Sequence, residues 1–281
     1  MSRAASGHSV GSPMKITQLS DTFLPASARA IRRVGASRAL RTAGLPAAAH
    51  LVPSVLVLGQ WWPRAAPPLR ALPGGLCRWR GPDTGRPEVA LTFDDGPDPE
   101  GSLAVADLLE EAGMAGSFFT VGELVEANPE IVRELKARGH EVGTHGYRHR
   151  HHLLQRGSDT AADLTRAVSA LERIGPGFRP RYFRPPYGQV SAGSIAACQR
   201  AGLEMVLWSA WGREWAEQEP AAVAARIARR LEPGAIVLLH DSEATSPPGT
   251  AARAREALGE VLAKLDAAGM RSVTLSDLLR R

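Results

Sequence analysis

Two adjacent carboxylates follow an apolar stretch in the first half of the chain. The run Val89–Leu91 leads through Thr92 and Phe93 to Asp94 and Asp95, and a Gly-Pro pair comes next. Burying two neighbouring carboxylates at a strand end is unfavourable unless a metal ion or an arginine offsets their charge. We therefore expect at least one of them to meet a cation. The alternative is an exposed Asp-Gly-Pro turn.

Histidines cluster further along the chain, where a second apolar stretch ends. His145 and His149 are four residues apart, and His151 and His152 follow them. An aspartate and two histidines are a common set of zinc ligands. Helical i, i+4 spacing would bring His145 and His149 onto one face. The spacing alone leaves His151 and His152 open as the second ligand, and a solvated histidine cluster is the alternative.

An arginine and a tyrosine lie in the stretch Tyr-Phe-Arg-Pro-Pro-Tyr-Gly, residues 182–188. Arg184 follows two aromatic residues and is expected to be buried, where a guanidinium can orient a carboxylate through a bidentate contact. The two prolines after it restrict the backbone, which aims the backbone amide of Tyr187. The alternative is an exposed arginine in a proline-rich connector.

Two further strand ends carry aromatic and ionisable side chains. Trp208, Trp211 and Trp215 fall within eight residues, which suits stacking on sugar faces. Core packing is the alternative for one or two of them. The apolar run Ile236–Leu239 ends in His240, which can act as a general acid, although a histidine at a strand end more often has a structural role.

The order and spacing of these motifs resemble those of the polysaccharide deacetylase family, also known as carbohydrate esterase group 4 or the NodB-homology domain. The resemblance covers about residues 87–281. The matching segments are Thr92–Pro97, His145–His149, Arg184–Gly188, Trp208–Trp215 and Leu238–His240. The chain departs from the family at two positions. Gly146 stands where the family usually has Ser or Thr, and Glu214 stands where it usually has Asp.

The resemblance implies a divalent metal of the zinc type, either Zn²⁺ or Co²⁺. It implies three metal ligands, which are Asp95, His145 and His149. It makes Asp94 the general base, with Arg184 orienting its carboxylate. Such a base takes a proton from the attacking water, and a metal ion lowers the pKa of that water toward about 7.

The resemblance also implies roles for residues on the other side of the site. His240 would be the general acid that protonates the leaving amine, and Glu214 is the candidate for the anion that supports it. The Tyr187 backbone amide would hold the oxyanion. Leu238 would line the pocket for the acetyl methyl group.

The expected activity is metal-dependent removal of N-acetyl groups from glycans that contain N-acetylglucosamine, such as peptidoglycan or chitin-type polymers. An esterase that removes O-acetyl groups from xylan is the closest alternative, since the same groups can hydrolyse an ester. A catalytically silent glycan-binding domain at the cell surface is the alternative of a different class. The chain keeps both acid–base candidates and all three ligand candidates, which argues against the silent domain.

Short strands and helices alternate from Pro87 onward and must position these residues. Apolar stretches predict seven strands, at 88–93, 116–121, 140–144, 181–184, 203–208, 235–240 and 271–274. Asn128 followed by Pro129 predicts an N-cap and a helix start, and a 3.6-residue period over 258–265 predicts a helix closed by Gly269. This α/β alternation predicts a parallel sheet, open or closed, with its sites at the carboxyl ends of the strands. The family resemblance implies a distorted (β/α) barrel.

The N-terminal part of the chain differs in composition from the rest. Residues 1–86 carry twelve Lys and Arg against two Asp, a net charge of +10, whereas the remaining residues carry −5. We predict a disordered basic arm at 1–41, an uncharged apolar segment at 42–63, a linker rich in Pro, Gly and Arg at 64–86, and the catalytic domain at 87–281. Two cysteines in 281 residues do not make a disulfide framework.

The basic arm indicates an anionic partner such as a lipid surface. Five arginines at positions 29–41 precede the apolar segment 42–63, and Trp61 and Trp62 close it, which favours a membrane anchor and an extracytoplasmic domain. Pro46 and Pro53 argue against a span. A helix packed on the core, a peripheral segment and a cytoplasmic protein are the alternatives. No nucleic-acid partner is expected, because the arm lacks interleaved aromatic residues and any reader motif.

Overall fold

The computed structural model describes residues 77–82, 84–217 and 219–280. The strands are Glu88–Asp94 (β1), Gly116–Thr120 (β2), Glu141–Thr144 (β3), Tyr182–Phe183 (β4), Glu204–Met205 (β5), Ala210–Trp211 (β6), Ile236–His240 (β7) and Arg271–Ser272 (β8). The helices are Gly101–Glu111 (α1), Gly122–Ala127 (α2), Pro129–Ala137 (α3), Gly157–Glu172 (α4), Ala192–Arg200 (α5), Pro220–Ala228 (α6), Thr250–Ala267 (α7) and Leu275–Leu278 (α8). The predicted arm at 1–41, the apolar segment at 42–63 and residues 64–76 lie outside the described residues.

The strands form one parallel sheet in the order β5-β4-β3-β2-β1-β7-β6, and β8 pairs with the beginning of β1. The sheet curls into a half-barrel with helices packed against it, so the predicted distorted (β/α) barrel is confirmed. Within the described residues, no helix combines the length and the apolar character needed to cross a bilayer.

Some elements differ from the sequence prediction. The strand β6 was not predicted, because its two residues lie in the tryptophan-rich segment and not in an apolar run. The end of the predicted linker is hydrogen-bonded to the sheet. Arg78 forms a parallel bridge with Val206, and Arg80 forms an antiparallel bridge with Ala235.

The helix predicted to start after Asn128 begins at the predicted position, but the predicted N-cap hydrogen bond is absent. Pro129 is the first residue of α3, but the Asn128 side chain makes no capping bond to that helix. It donates instead to the Leu124 carbonyl of the preceding helix. The apolar stripe at 258–265 is buried in α7, and Gly269, at φ 62°, follows the end of that helix.

Alternation along β1 decides which side chains reach the interior of the half-barrel. Val89, Leu91 and Phe93 pack in the cluster that includes residues of α1 and α7. Ala90 belongs to the second cluster, and Asp94 shares its face of the strand because side chains in a strand alternate with a period of two. The same rule places β7 residues Leu238 and His240 on one face.

Candidate active site

Asp94 and Asp95 share His145, whose Nε2 lies 3.6 Å from Asp94 Oδ2 and 3.7 Å from Asp95 Oδ1, but their nearest partners differ. Asp94 ends β1, and its Oδ1 accepts a 2.6 Å hydrogen bond from Arg184 Nη1. Asp95 has a positive φ of 81°, which takes it out of the strand alternation. Its Oδ1 lies 3.4 Å from His149 Nε2. Both aspartates are almost fully buried, so the exposed turn that was the alternative is excluded.

Arg184 is fully buried beneath Asp94 and holds it from the interior of the barrel. Besides the bond to Asp94, Nη1 donates to Thr92 Oγ1 at 2.8 Å, and Nη2 donates to the Leu207 carbonyl at 3.1 Å. The contact with Asp94 is therefore made by one nitrogen and is not the bidentate pair that we expected. Burial lowers the pKa of Arg184, and the Asp94 carboxylate counteracts that effect. The Phe119 ring lies 4.1 Å from the guanidinium.

Asp95, His145 and His149 converge at the carboxyl ends of β1 and β3. One potential ligand atom from each lies within 4.8 Å of the others. Asp95 Oδ2 accepts a 2.7 Å bond from Ser246 Oγ, whereas the buried Oδ1 has no hydrogen-bond donor among the described residues. A buried carboxylate oxygen without a donor, facing two imidazoles, is the arrangement that a divalent cation would complete.

Each imidazole turns a ring nitrogen, Nε2, toward Asp95. His145 Nδ1 lies 2.7 Å from the Arg184 carbonyl, which can only accept, so Nδ1 carries a proton and Nε2 is the nitrogen that faces the metal site. That Nε2 is 3.7 Å from Asp95 Oδ1. Burial, together with nearby His145, lowers the pKa of His149 to about 3, although Asp95 opposes the shift. These observations make Asp95, His145 and His149 a chemically suitable set of metal ligands.

The histidine segment reaches this geometry without a helix. Residues 145–149 form an irregular loop, so the expected i, i+4 helical face is wrong. The structure also separates the other two histidines from the cluster. His151 stacks flat on the Tyr187 ring, with centroids 3.8 Å apart, and His152 is buried beside Phe183.

Tyr187 presents its backbone amide from a left-handed conformation, at φ 58°. This conformation costs a non-glycine residue about 1 kcal/mol or more, so the surroundings must stabilise it. Its ring lies between His149, at 4.3 Å, and His151, at 3.8 Å. Among the described residues, the Tyr187 N–H makes no backbone hydrogen bond outside its own 3₁₀ turn.

His240 lies beside Asp94 at the mouth of the barrel, because these two residues are in register on β7 and β1. Its Nδ1 is 2.7 Å from Oε1 of Glu214, which is fully buried. Burial alone would lower the pKa of His240. The Glu214 hydrogen bond and charge, with Asp95 and Asp94, outweigh burial and raise that pKa to about 9. The imidazolium form is therefore favoured, with Nδ1–H donating to Glu214.

Asp241, next to this histidine, faces away from it. Its carboxylate accepts from the Gly96 backbone amide at 3.1 Å and from the Ser102 hydroxyl. Burial raises the pKa of Asp241 to about 7, and the nearby Asp95 charge adds to the effect. Asp241 thus ties the turn after Asp95 to α1.

The three tryptophans fall into two groups. Trp208 is buried in the core, where its ring lies 5.5 Å from the Arg184 guanidinium. Trp211 and Trp215 are half-buried, with ring centroids 5.3 Å apart, and Trp215 meets His240 edge-on at 5.5 Å. Leu238 is 2% exposed and pairs in register with Trp211. The surface beside His240 is thus aromatic.

Sequence reasoning missed Ser246 and Asp163, two polar residues that support the ligand set. Ser246 contacts Asp95, and Asp163 accepts hydrogen bonds from the backbone of the histidine loop. Ser246 follows the carboxyl end of β7, which is where sites gather in such folds, so its position was a usable signal. Asp163 lies within α4, and no local pattern marks it.

Comparison with known proteins shows which family the chain resembles. A family model described as polysaccharide deacetylase matches residues 81–206. A peptidoglycan-N-acetylglucosamine deacetylase of Bacillus cereus is 32% identical over 211 residues, which are 74% of this chain and 95% of that protein. A chitooligosaccharide deacetylase of Bradyrhizobium is 35% identical over 166 residues, which are 59% of this chain and 74% of that protein.

A solved structure shares the fold of this chain. The crystal structure of a peptidoglycan N-acetylglucosamine deacetylase superposes with a TM-score of 0.67 at 27% identity, covering 73% of this chain and 93% of the other. The shared fold, the matching family model and the 32% identity over nearly all of a relative have one explanation. The chain belongs to the polysaccharide deacetylase family, and its relatives named as deacetylases are hydrolases of carbon–nitrogen bonds.

Proposed function

We propose that the protein removes N-acetyl groups from N-acetylglucosamine units of a glycan, with the help of a divalent metal ion. One observation carries this proposal. The two adjacent carboxylates are divided between two tasks, with Asp94 held by Arg184 and Asp95 facing His145 and His149. The relatives named above act on peptidoglycan and on chitooligosaccharides, which supports the choice of substrate class.

Asp95, His145 and His149 would hold the metal ion. We propose Zn²⁺, with Co²⁺ as a substitute, because two imidazoles and a carboxylate suit these ions. When bound, such an ion supplies Lewis-acid activation of water and of the acetyl carbonyl. The orphaned Asp95 Oδ1 and the fixed tautomer of His145 fit this assignment.

The chain's own residues account for the proton transfers. The Asp94 carboxylate, oriented by Arg184, accepts the proton of the water that attacks the acetyl carbonyl carbon. The Tyr187 backbone N–H donates to the carbonyl oxygen as negative charge develops there. The His240 imidazolium donates a proton to the amide nitrogen as the carbon–nitrogen bond breaks. Acetate and a free amino sugar leave.

Glu214 and the aromatic surface complete the site. Glu214 keeps His240 protonated and fixes its ring orientation through the 2.7 Å contact at Nδ1. Trp211 and Trp215 offer faces on which a sugar ring can stack next to the scissile amide. Leu238 lines the interior below them and suits the acetyl methyl group.

Mass spectrometry of acetylated glycans tests the proposal. Full-length protein loaded with zinc is incubated separately with chitooligosaccharides, peptidoglycan fragments and acetylated xylan. Loss of acetyl groups from the first or the second supports the proposal. Loss from xylan alone would replace it with the esterase alternative. No loss from any of them would support the silent glycan-binding alternative.

The N-terminal region has a separate proposed role. We propose that the apolar segment 42–63 anchors the protein in a membrane, with the catalytic domain outside the cytoplasm. Five arginines before the segment and Trp61 and Trp62 at its end support this topology. An extracytoplasmic position would also bring the active site to cell-wall glycans.

A further inference from the structure

The loop that carries the two histidine ligands is clamped by one side chain from outside the loop. Asp163, in α4, accepts a 2.8 Å bond from the Tyr147 backbone amide through Oδ2. Its Oδ1 accepts a 3.1 Å bond from the Arg148 backbone amide. Both carboxylate oxygens thus accept from consecutive backbone amides between His145 and His149, and the second amide belongs to the residue directly before the ligand His149.

The carbonyl groups of the same loop accept hydrogen bonds from backbone amides of α2 on the other side of the loop. The Gly146 carbonyl accepts from the Gly122 amide at 2.9 Å, and the Tyr147 carbonyl accepts from the Glu123 amide at 3.1 Å. These are the first amides of α2, which have no partners within their own helix. The loop therefore lies between a helix N-terminus and the Asp163 carboxylate, with four hydrogen bonds fixing its path.

The orientation of the His149 ring depends on this backbone more than the orientation of the His145 ring does. A metal-binding histidine usually donates its second ring nitrogen to a partner that fixes the ring. His145 has such a partner in the Arg184 carbonyl. The buried His149 Nδ1 has no hydrogen-bond partner among the described residues. With no hydrogen bond at Nδ1, the position of the His149 ring depends on its backbone and on its contacts with Tyr187, His145 and Asp95.

Gly146 leaves room for the Asp163 carboxylate beside the loop. It has φ 89°, a conformation that strains any residue with a Cβ atom. A Cβ at this position would lie 3.0 Å from Asp163 Oδ2. A side chain on residue 146 would therefore crowd the carboxylate that holds the loop. The Ser or Thr that the family usually has at this position would bring such a Cβ atom against Asp163.

We propose that Asp163 is a positioning residue for the metal site, which acts by fixing the backbone that aims His149 at the metal. The inference rests on the metal-dependent activity proposed above. Asp163 accepts its hydrogen bonds from two backbone amides of the loop. Its loss should weaken metal binding and leave the folded domain intact.

Metal affinity measured directly tests the inference. The dissociation constants of Zn²⁺ and Co²⁺ are obtained by competition with a chromophoric chelator for the full-length wild type and for Asp163→Ala. Loss of an outer-shell partner typically weakens metal binding by about 10–100-fold, and we expect a loss in this range. The dissociation constants of Asp163→Asn, which keeps the shape of the side chain and one acceptor oxygen, should lie between those of the wild type and those of Asp163→Ala. The control is Asp159→Ala, one turn earlier on α4 and exposed, which should equal the wild type.

A second readout separates positioning from general destabilisation. The visible absorption of the Co²⁺-loaded protein reports the ligand geometry, and it should change in Asp163→Ala and stay constant in Asp159→Ala. Equal affinities and equal spectra for wild type and both Asp163 variants would overturn this inference alone. A wild type that binds neither metal would overturn the proposed function as well. If Asp163→Ala does not fold, the Asp163→Asn comparison decides by the same criteria.

Discussion

Asp94 and His240 occupy registered positions on the neighbouring parallel strands β1 and β7. Both are the last residues of their strands, so they lie side by side at the carboxyl edge of the sheet. Each has its own buried partner, which is Arg184 for Asp94 and Glu214 for His240. A carboxylate that can accept a proton and an imidazolium that can donate one therefore meet at one mouth of the barrel.

The ligand set predicts which histidine substitution removes the metal. His149→Ala should abolish tight binding of zinc and with it the activity, because one of three ligands is lost. His151→Ala should keep the metal, since His151 stacks on Tyr187 outside the cluster. Metal content after gel filtration and acetate release with added zinc measure the two effects. Metal loss in His151→Ala together with metal retention in His149→Ala would reverse the assignment.

The Glu214–His240 contact predicts a shift in the pH–rate profile. The pKa of His240 is raised to about 9, so the protonated acid persists up to about that pH. Glu214→Gln removes the charge, and burial then lowers the pKa. The alkaline limb of the kcat/KM profile should move to lower pH by about 1–3 units. An alkaline limb that stays in place in Glu214→Gln and moves in Asp241→Asn would assign the role to Asp241.

The buried arginine predicts a large loss of stability. Arg184→Ala leaves the Asp94 charge buried without its partner, which should lower the free energy of unfolding by about 3–5 kcal/mol. Arg181→Ala is the matched control, because Arg181 is exposed and pairs with Glu204 at the surface, where such pairs contribute about 0–1 kcal/mol. Urea denaturation of the two variants measures the difference. Similar losses in both would show that Arg184 is not the internal support of Asp94.

The proposed anchor predicts where the protein is found. Full-length protein should sediment with membranes, and a variant that lacks residues 1–63, which removes the basic arm and the apolar segment together, should not. Deletion should leave the rate on short chitooligosaccharides unchanged, since the site is built from residues beyond position 90. Full-length protein found entirely in the cytosolic fraction would contradict the anchor.

Much of the site could be predicted from the sequence, because its parts are short segments at strand ends. Asp94 and His240 follow apolar runs, and parallel strands bring their carboxyl ends to one edge. The choice between His149 and His151 was not available from spacing, because an irregular loop and not a helix places them. The family resemblance, and not the residue pattern alone, favoured His149.

Other features depend on contacts between distant segments and leave no local pattern. Asp163 reaches the histidine loop from α4, and Ser246 reaches Asp95 from the loop after β7. The two-residue strand β6 is defined by its pairing with β7 and not by its composition. Arg78 and Arg80 look like part of a linker in sequence, and only the sheet shows that they pair with it.

The central claim is that Asp94 is a general base and Asp95 is a metal ligand, two neighbouring carboxylates with separate roles in removing an acetyl group. The most direct measurement compares wild type with Asp94→Asn, recording bound zinc and acetate released from a chitooligosaccharide in the same samples. We predict equal zinc and a fall in acetate release of about 10²–10⁴-fold in the variant, the usual contribution of general acid–base catalysis. Near-normal release, or loss of zinc together with activity, would contradict the account.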